Sequence, residues 1–138
     1  MEMILTDPSG RFLLAFRLMN QPGRPLVQVA IPYLAVNDQG QAIGELRRRL
    51  IALTNWSYEL WSQGEAVLTV PSASRSKPYP LLHREAPVGL ITETRPVFGR
   101  PSETIWTIQF SAPCQRLPAL ALVTYVALNR GATGIPAR

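Results

Sequence analysis

Residues 3–19, MILTDPSGRFLLAFRLM, place two apolar segments on either side of a turn motif. The motif DPSG, at positions 7–10, combines an acceptor for local backbone hydrogen bonds, a proline that presets φ and a glycine that adopts positive φ. The side chains that recur with period two after the turn are Phe12, Leu14, Phe16 and Leu18. This alternation is typical of a strand with one buried face, and the stretch predicts a β-hairpin.

Further apolar segments separated by turns continue along the chain. Strands are predicted at 26–36, at 58–61 and 66–70 around the turn at 62–65, and at 104–111. Residues 119–128 are apolar on every side, which predicts a central strand buried on both faces. In total, the sequence predicts six to eight strands. The fold class is therefore mostly β, as a small antiparallel β-barrel or sandwich.

One segment shows a helical period instead. The apolar residues of this segment recur at intervals of three and four, and they are Ile43, Leu46, Leu50 and Leu53. Asp38 and Gln41 resemble a capping box just before it. The pattern predicts one short helix over about residues 41–54.

Residues 71–101, PSASRSKPYPLLHREAPVGLITETRPVFGRP, hold six of the 13 prolines, and five basic residues against two acidic ones. Proline fixes φ and removes a backbone donor, so the segment cannot be a regular helix or a central strand throughout. A strand is expected only at 88–94. The segment is predicted to be an extended arm that contacts a neighbouring subunit, or a long loop folded back on its own domain. The proposed contact residues are Pro78, Tyr79, Pro80, Leu81, Leu82, Arg84, Arg95 and Arg100.

Length and composition narrow the protein class. A chain of 138 residues suits one domain, predicted over 1–130 with a flexible tail at 131–138. Only 17% of the residues are charged, against about 25% in typical domains. A low charge content is consistent with a surface that other subunits cover. The net charge is +5 and every basic residue except Lys77 is arginine, which suits either a polyanionic partner or a generally basic surface.

The sequence offers little for catalysis. His83 and Cys114 are the only histidine and cysteine, and the metal-binding, phosphate-binding and nucleophile-elbow motifs are absent from the chain. Arg116, close to Cys114, could lower the pKa of its thiol, although an incidental cysteine is the alternative. We therefore expect no enzymatic activity, no cofactor and no metal. The N-terminal residues do not resemble a signal peptide and no apolar run approaches about 20 residues, so we expect no membrane span and a cytoplasmic protein, or one assembled into a particle there.

Two functions remain. The first is a non-enzymatic structural module that self-associates, as a homo-oligomer or a component of a phage-like or other multi-subunit assembly. The second is a nucleic-acid-binding module, in which cations and aromatic rings lie close together as in single-strand binders. The residues of this second site would be Arg47, Arg48, Arg49, Trp56 and Tyr58. The alternative, which the sequence favours, is that Trp56 and Tyr58 belong to the core and that the arginines form a solvated helix face.

Overall fold

The computed structural model describes residues 2–19, 32–52, 55–74, 77–95, 98 and 104–130. These residues form nine strands and one helix. The strands are β1 Glu2–Thr6, β2 Phe12–Leu18, β3 Tyr33–Val36, β4 Ala42–Ala52, β5 Asn55–Ser62, β6 Glu65–Val70, β7 Tyr79–His83, β8 Ala86–Thr94 and β9 Ile105–Phe110, and the helix is α1 Arg116–Asn129. The predicted class, mostly β and antiparallel, is confirmed.

The nine strands form a single sheet in which each strand pairs with the next one along the chain. Every pairing is antiparallel, so strand direction alternates and β1 and β9 run in the same direction. A hydrogen-bond ladder between β1 and β9 would therefore have to be parallel, and parallel pairing is slightly less stable than antiparallel pairing. The sheet is not closed, and β1 and β9 are its two edges.

The turn at positions 7–10 forms as its residue types predict. Asp7 accepts hydrogen bonds through Oδ1 from the backbone N–H groups of Ser9 and Arg11, each at 2.9 Å. Gly10 has a φ of 88°, in the region that glycine adopts without strain. The Ser9 hydroxyl also donates to Oδ1, at 2.5 Å. The bond from this hydroxyl, and after it the backbone bond from Arg11, hold the pKa of the Asp7 carboxyl below its usual value, because they favour the charged form. The hairpin of β1 and β2 follows directly from this turn.

The helix lies where the sequence analysis predicted a strand. Residues 119–128 belong to α1, and none of the residues from 117 to 129 is exposed. The helix packs against β4, β5 and β6. A helix that the sheet covers on most sides is apolar all round, and this composition does not distinguish it from a doubly buried strand.

The helix predicted at 41–54 is wrong, because this segment forms the long strand β4. Its ladder to β5 pairs Leu46 with Leu60 and Leu50 with Trp56. Leu46 is fully buried whereas Leu50 is 53% exposed, so the presumed helical stripe is not one buried face. Strand pairing on both sides of β4 outweighs the local pattern.

The segment at 71–101 is not an extended arm over its described part. Strands β7 and β8 form a hairpin within the sheet, which includes the strand predicted at 88–94. Tyr79 and Leu81 are buried in the core of the same chain. Residues 75–76, 96–97 and 99–103 of the segment and the predicted tail at 131–138 lie outside the described residues.

The core lies between the inner face of the curved sheet and helix α1. Its largest fully buried side chains include Tyr125, Phe16, Leu14, Leu46, Leu60, Leu81, Ile91 and Leu122. The ring of Tyr125 meets the rings of Tyr33 and Tyr58 edge to face, with centroids 6.1 Å apart in both pairs. In the part of the chain that the structure describes, no helix has the length and apolar character needed to cross a membrane.

Candidate functional site

Among the described strands β9 pairs only with β8, so it is an edge strand, and its sequence is uncharged. Its six residues, IWTIQF, include no charged residue and no proline. Ile105, Thr107 and Gln109 face outward and are exposed, and the side chain of Ile105 is 60% accessible. Natural edge strands usually carry a charge, a proline or a bulge that prevents pairing with another chain. The described part of β9 has none of these.

The backbone groups at the free edge of β9 follow from its ladder with β8. The N–H of Ser111 donates to the carbonyl oxygen of Val88 at 2.9 Å. Bonded and non-bonded residue pairs alternate along an antiparallel ladder, so residues 107 and 109 bond to β8. The residues whose N–H and C=O groups point away from β8 are Trp106, Ile108 and Phe110. Their side chains are half-buried on the inner face, against the core.

The opposite edge, β1, is shorter. Its five residues, Glu2–Thr6, include one acidic residue. Ile4 is 59% exposed on the outer face, while Met3 and Leu5 pack against the core. The register shift between Leu5 and Thr6 makes the end of this strand irregular. Of the two edges, β9 therefore offers the longer regular ladder to a partner.

The three consecutive arginines of β4 do not form one cationic surface. Arg48 lies on the inner face, where its guanidinium covers the ring of Trp56 at 4.2 Å. Arg47 and Arg49 lie on the outer face and are paired. Arg47 donates to Glu45 at 2.7 Å and lies 4.5 Å from the ring of Trp61. The bond with Glu45 raises the pKa of Arg47.

Arg49 is the most exposed of the three arginines. Its side chain is 69% accessible and lies 3.6 Å from Glu59. The strand geometry separates it from Arg48 because adjacent side chains of a strand point to opposite faces. The three arginines are therefore not adjacent cations on the helix predicted at 41–54, because the segment is a strand.

The aromatic residues of the predicted nucleic-acid site lie on the inner face of β5. Tyr58 is 4% exposed and belongs to the core, and its pKa is raised by burial. Trp56 is half-buried, with Arg48 over its ring. Neither ring forms an open platform on the surface that carries Arg47 and Arg49.

The predicted contact residues of the 71–101 segment are divided between core and surface. Tyr79 and Leu81 are buried and Leu82 is half-buried, so they pack within their own chain. The exposed members are Pro78, Pro80 and Arg84. Arg84 pairs with Glu65 at 2.7 Å. Arg95 donates from Nε to the hydroxyl of Thr104 at 3.2 Å, and Arg100 lies outside the described residues.

A buried polar cluster, which sequence reasoning did not find, lies at the C-terminal end of α1. Nε of Arg130 is 3.0 Å from both carboxylate oxygens of Glu93 and donates to Oε1. Glu93 faces Trp106 across the β8–β9 ladder. Within the described part of the chain, four buried side-chain atoms of this cluster make no hydrogen bond of good geometry, and they are Nε of Arg48, the hydroxyl of Tyr79, Oε2 of Glu93 and Nε1 of Trp106. The available signal was the position of Glu93 two residues after Ile91, on the same face of the strand predicted at 88–94.

Burial dominates the electrostatics of this cluster. It raises the pKa of the Tyr79 hydroxyl well above its ordinary value, and the negative charge of Glu93 raises it further. Burial likewise raises the pKa of Tyr125. These phenols therefore stay neutral and uncharged in the folded protein over the physiological range.

A cavity of about 580 Å³ opens at the other end of the helix. Its walls include the aliphatic side chains of Ile43, Leu60, Val67 and Leu68, and its polar lining consists of Ser62, His83, Arg84, Cys114 and Gln115. Burial raises the pKa of the Cys114 thiol, which donates to the carbonyl oxygen of Gln115 at 3.6 Å. Arg116 does not activate the thiol, since its guanidinium lies over the ring of Phe110 at 5.3 Å.

The described residues contain no group of three or more histidine, cysteine, aspartate or glutamate side chains placed to hold a metal ion. Comparisons with protein-family models, with curated proteins and with solved structures found no match.

Proposed function

We propose that this protein is a non-enzymatic structural module that self-associates by pairing β9 of one copy with β9 of a second copy. The observation that carries the proposal is the free edge of β9, a regular strand with no charge, proline or bulge. An edge of this kind is a template for strand addition.

A second copy of this chain is the partner that best suits the edge of β9. A two-fold axis through the edge makes the two β9 strands antiparallel, which is the stronger ladder. With the axis at Ile108, this residue faces its counterpart, and Trp106 faces Phe110 of the other copy. All three side chains lie half-buried on the inner face of the sheet, so the pairing would extend the apolar face as well as the backbone ladder.

Head-to-tail assembly is less well supported. Because β1 and β9 run in the same direction in the sheet, copies that follow one another around a ring would pair these edges in parallel. Parallel pairing is slightly less stable per residue. A pair of copies joined by β9 would still leave both β1 edges free for further contacts in a larger assembly.

Composition agrees with this role. The low charged fraction of 17% suits a surface that is partly covered in an assembly. On the outer face beside β9, Leu90 is 47% exposed and Ile105 is 60% exposed, which adds apolar area next to the edge. We extend the proposal to a component of a phage-like or other multi-subunit particle. The single cysteine is compatible with assembly in the reducing cytoplasm.

Nucleic-acid binding is the second proposal from the sequence, and the described contacts give it less support. Arg47 and Arg49 have carboxylate partners, and Arg48 lies on the opposite face. A nucleic acid would have to compete with Glu45 and Glu59 for these guanidinium groups.

Light scattering coupled to size-exclusion chromatography tests the self-association. We expect the wild-type protein to elute as a dimer or a multiple of it, and Thr107→Lys to elute as a monomer, because a charge on an exposed edge opposes pairing. Thr92→Lys is the matched control, since Thr92 faces Thr107 across the ladder and is also exposed, but lies one strand away from the edge.

A wild-type monomer at all concentrations would refute the proposal. So would a Thr107→Lys variant with the wild-type mass. Loss of association in Ile4→Lys together with retention in Thr107→Lys would assign the contact to β1 instead, because Ile4 is exposed on that edge. Absorbance at 260 nm across the peak reports whether nucleic acid accompanies the protein.

A further inference from the structure

We infer that the cavity at the N-terminal end of α1 binds a medium-chain aliphatic carboxylate, with the chain in the cavity and the carboxylate at its mouth. The cavity is separate from the edge strands, so this inference does not depend on self-association. Its volume of about 580 Å³ lies within the 300–1,000 Å³ that small-molecule sites occupy.

The wall of the cavity suits an aliphatic group. Ile43 and Val67 are half-buried and present accessible aliphatic surface, while Leu60 and Leu68 back this wall and are almost completely buried. These four side chains come from the adjacent strands β4, β5 and β6, and the other side is closed by Pro113, before α1, and by Pro118, in its first turn. Transfer of a hydrocarbon chain from water to such a surface is favourable by about 0.8 kcal/mol per buried CH₂.

The mouth of the cavity suits an acidic group. Two basic side chains line the mouth and are exposed, those of His83 and Arg84. None of the described residues that line the cavity is acidic. Ser62 and Gln115 add neutral hydrogen-bonding groups. A carboxylate is the complementary head group, because a guanidinium donates two parallel hydrogen bonds to its oxygens.

The partner of Arg84 sets the expected strength of this contact. Glu65 lies outside the lining, and its Oε1 is 2.7 Å from Nη2 of Arg84, with both side chains more than half exposed. Glu65 therefore holds the guanidinium near the mouth but also competes with a bound carboxylate for it. Removal of the Glu65 charge should strengthen binding, whereas removal of the Arg84 charge should weaken it.

Isothermal titration with decanoate, below its micelle concentration, tests the inference. We expect one decanoate per chain, with an affinity that falls roughly two- to fivefold in Arg84→Ala, the range of an exposed ion pair, and rises in Glu65→Gln. Lys77→Ala is the matched control for net charge, since Lys77 is exposed and does not line the cavity. Decanol, which has the same chain and no charge, should bind more weakly than decanoate.

A second variant tests the location. Gln115 is exposed at the mouth, so Gln115→Trp should obstruct the cavity without changing the core. Wild-type affinity in this variant would overturn the assignment to this cavity, and circular dichroism would confirm that the variant is folded. Absence of binding by both decanoate and decanol would overturn the site itself. Equal affinities for the two, together with an unchanged Arg84→Ala, would overturn the acidic class of the ligand.

Discussion

Arg130 and Glu93, 37 positions apart, connect the end of helix α1 to the inner face of β8. Nε of Arg130 lies 3.0 Å from each carboxylate oxygen. The side chain of Glu93 is 2% exposed and that of Arg130 is 20% exposed. Because little water reaches this ion pair, solvent weakens the attraction between the two charges only slightly. The loss of one partner leaves the other as an uncompensated buried charge.

Glu93→Gln should therefore lower the free energy of unfolding by about 3 kcal/mol, the typical effect of breaking a buried pair. Glu65→Gln is the comparison, because it breaks an ion pair at 2.7 Å whose side chains are more than half exposed. Its expected cost is below about 1 kcal/mol. Urea unfolding followed by circular dichroism measures both, and equal losses in the two variants would contradict the structural role given to Glu93.

Gly44 is required by the close approach of β4 to β5. A Cβ atom at this position would lie 2.7 Å from Cδ1 of Leu60 and 2.8 Å from the backbone oxygen of Trp61. The second of these atoms cannot move without distorting the strand. Gly44→Ala should destabilise the protein by about 1–3 kcal/mol, as overpacking of a core does.

Gly89→Ala provides a graded comparison for this prediction. The nearest atom to its added Cβ would be the backbone oxygen of Gln109 at 3.1 Å, so the cost should be smaller than at Gly44. Thermal unfolding of the two variants gives their order. A Gly44→Ala protein as stable as the wild type would show that β4 and β5 have room to separate.

Arg48 and Arg49 are adjacent in sequence but should differ in their contribution to stability. Arg48→Ala removes the guanidinium that covers Trp56 at 4.2 Å on the inner face, and we expect a loss of about 1–2 kcal/mol. Arg49→Ala removes a 69% exposed side chain with a 3.6 Å ion pair, for which the expected change is within about 0.5 kcal/mol. Chemical denaturation distinguishes them, and the reverse order would place Arg48 at the surface.

Alkaline pH should destabilise the fold through its buried phenols. Burial raises the pKa of Tyr58, Tyr79 and Tyr125 in the folded protein, while the unfolded chain titrates near the ordinary tyrosine value of about 10. The unfolded state therefore loses protons first, and stability that is present below about pH 10 is lost as the pH rises further.

Urea unfolding at a series of pH values from 8 to about 11 measures this effect. Tyr79→Phe should make the alkaline decline less steep, because one group with a raised pKa is removed. An unchanged pH dependence in this variant would mean that Tyr79 titrates normally.

The cavity and the polar cluster were not predictable from sequence. No local pattern in the sequence indicates that Glu93 and Arg130 contact each other. The aliphatic wall of the cavity comes from β4, β5 and β6, and its other side comes from the start of α1, more than 40 positions later. Hairpin positions were predictable because turn chemistry is local. The turn at 62–65 shows this, since Gln63 and Gly64 have positive φ values of 53° and 82°.

The sequence by itself determined the β-rich class, the turns at 7–10 and 62–65, and the strand Ile105–Phe110, because period-two alternation and turn residues act over a few positions. Only the tertiary structure decided that 42–52 is a strand and 116–129 a helix. The physical reasons differ. Burial on several sides makes 117–129 apolar all round, a composition that does not distinguish a helix from a strand. At 42–52 the hydrogen-bonded pairing with β3 and β5 outweighs the local helical period.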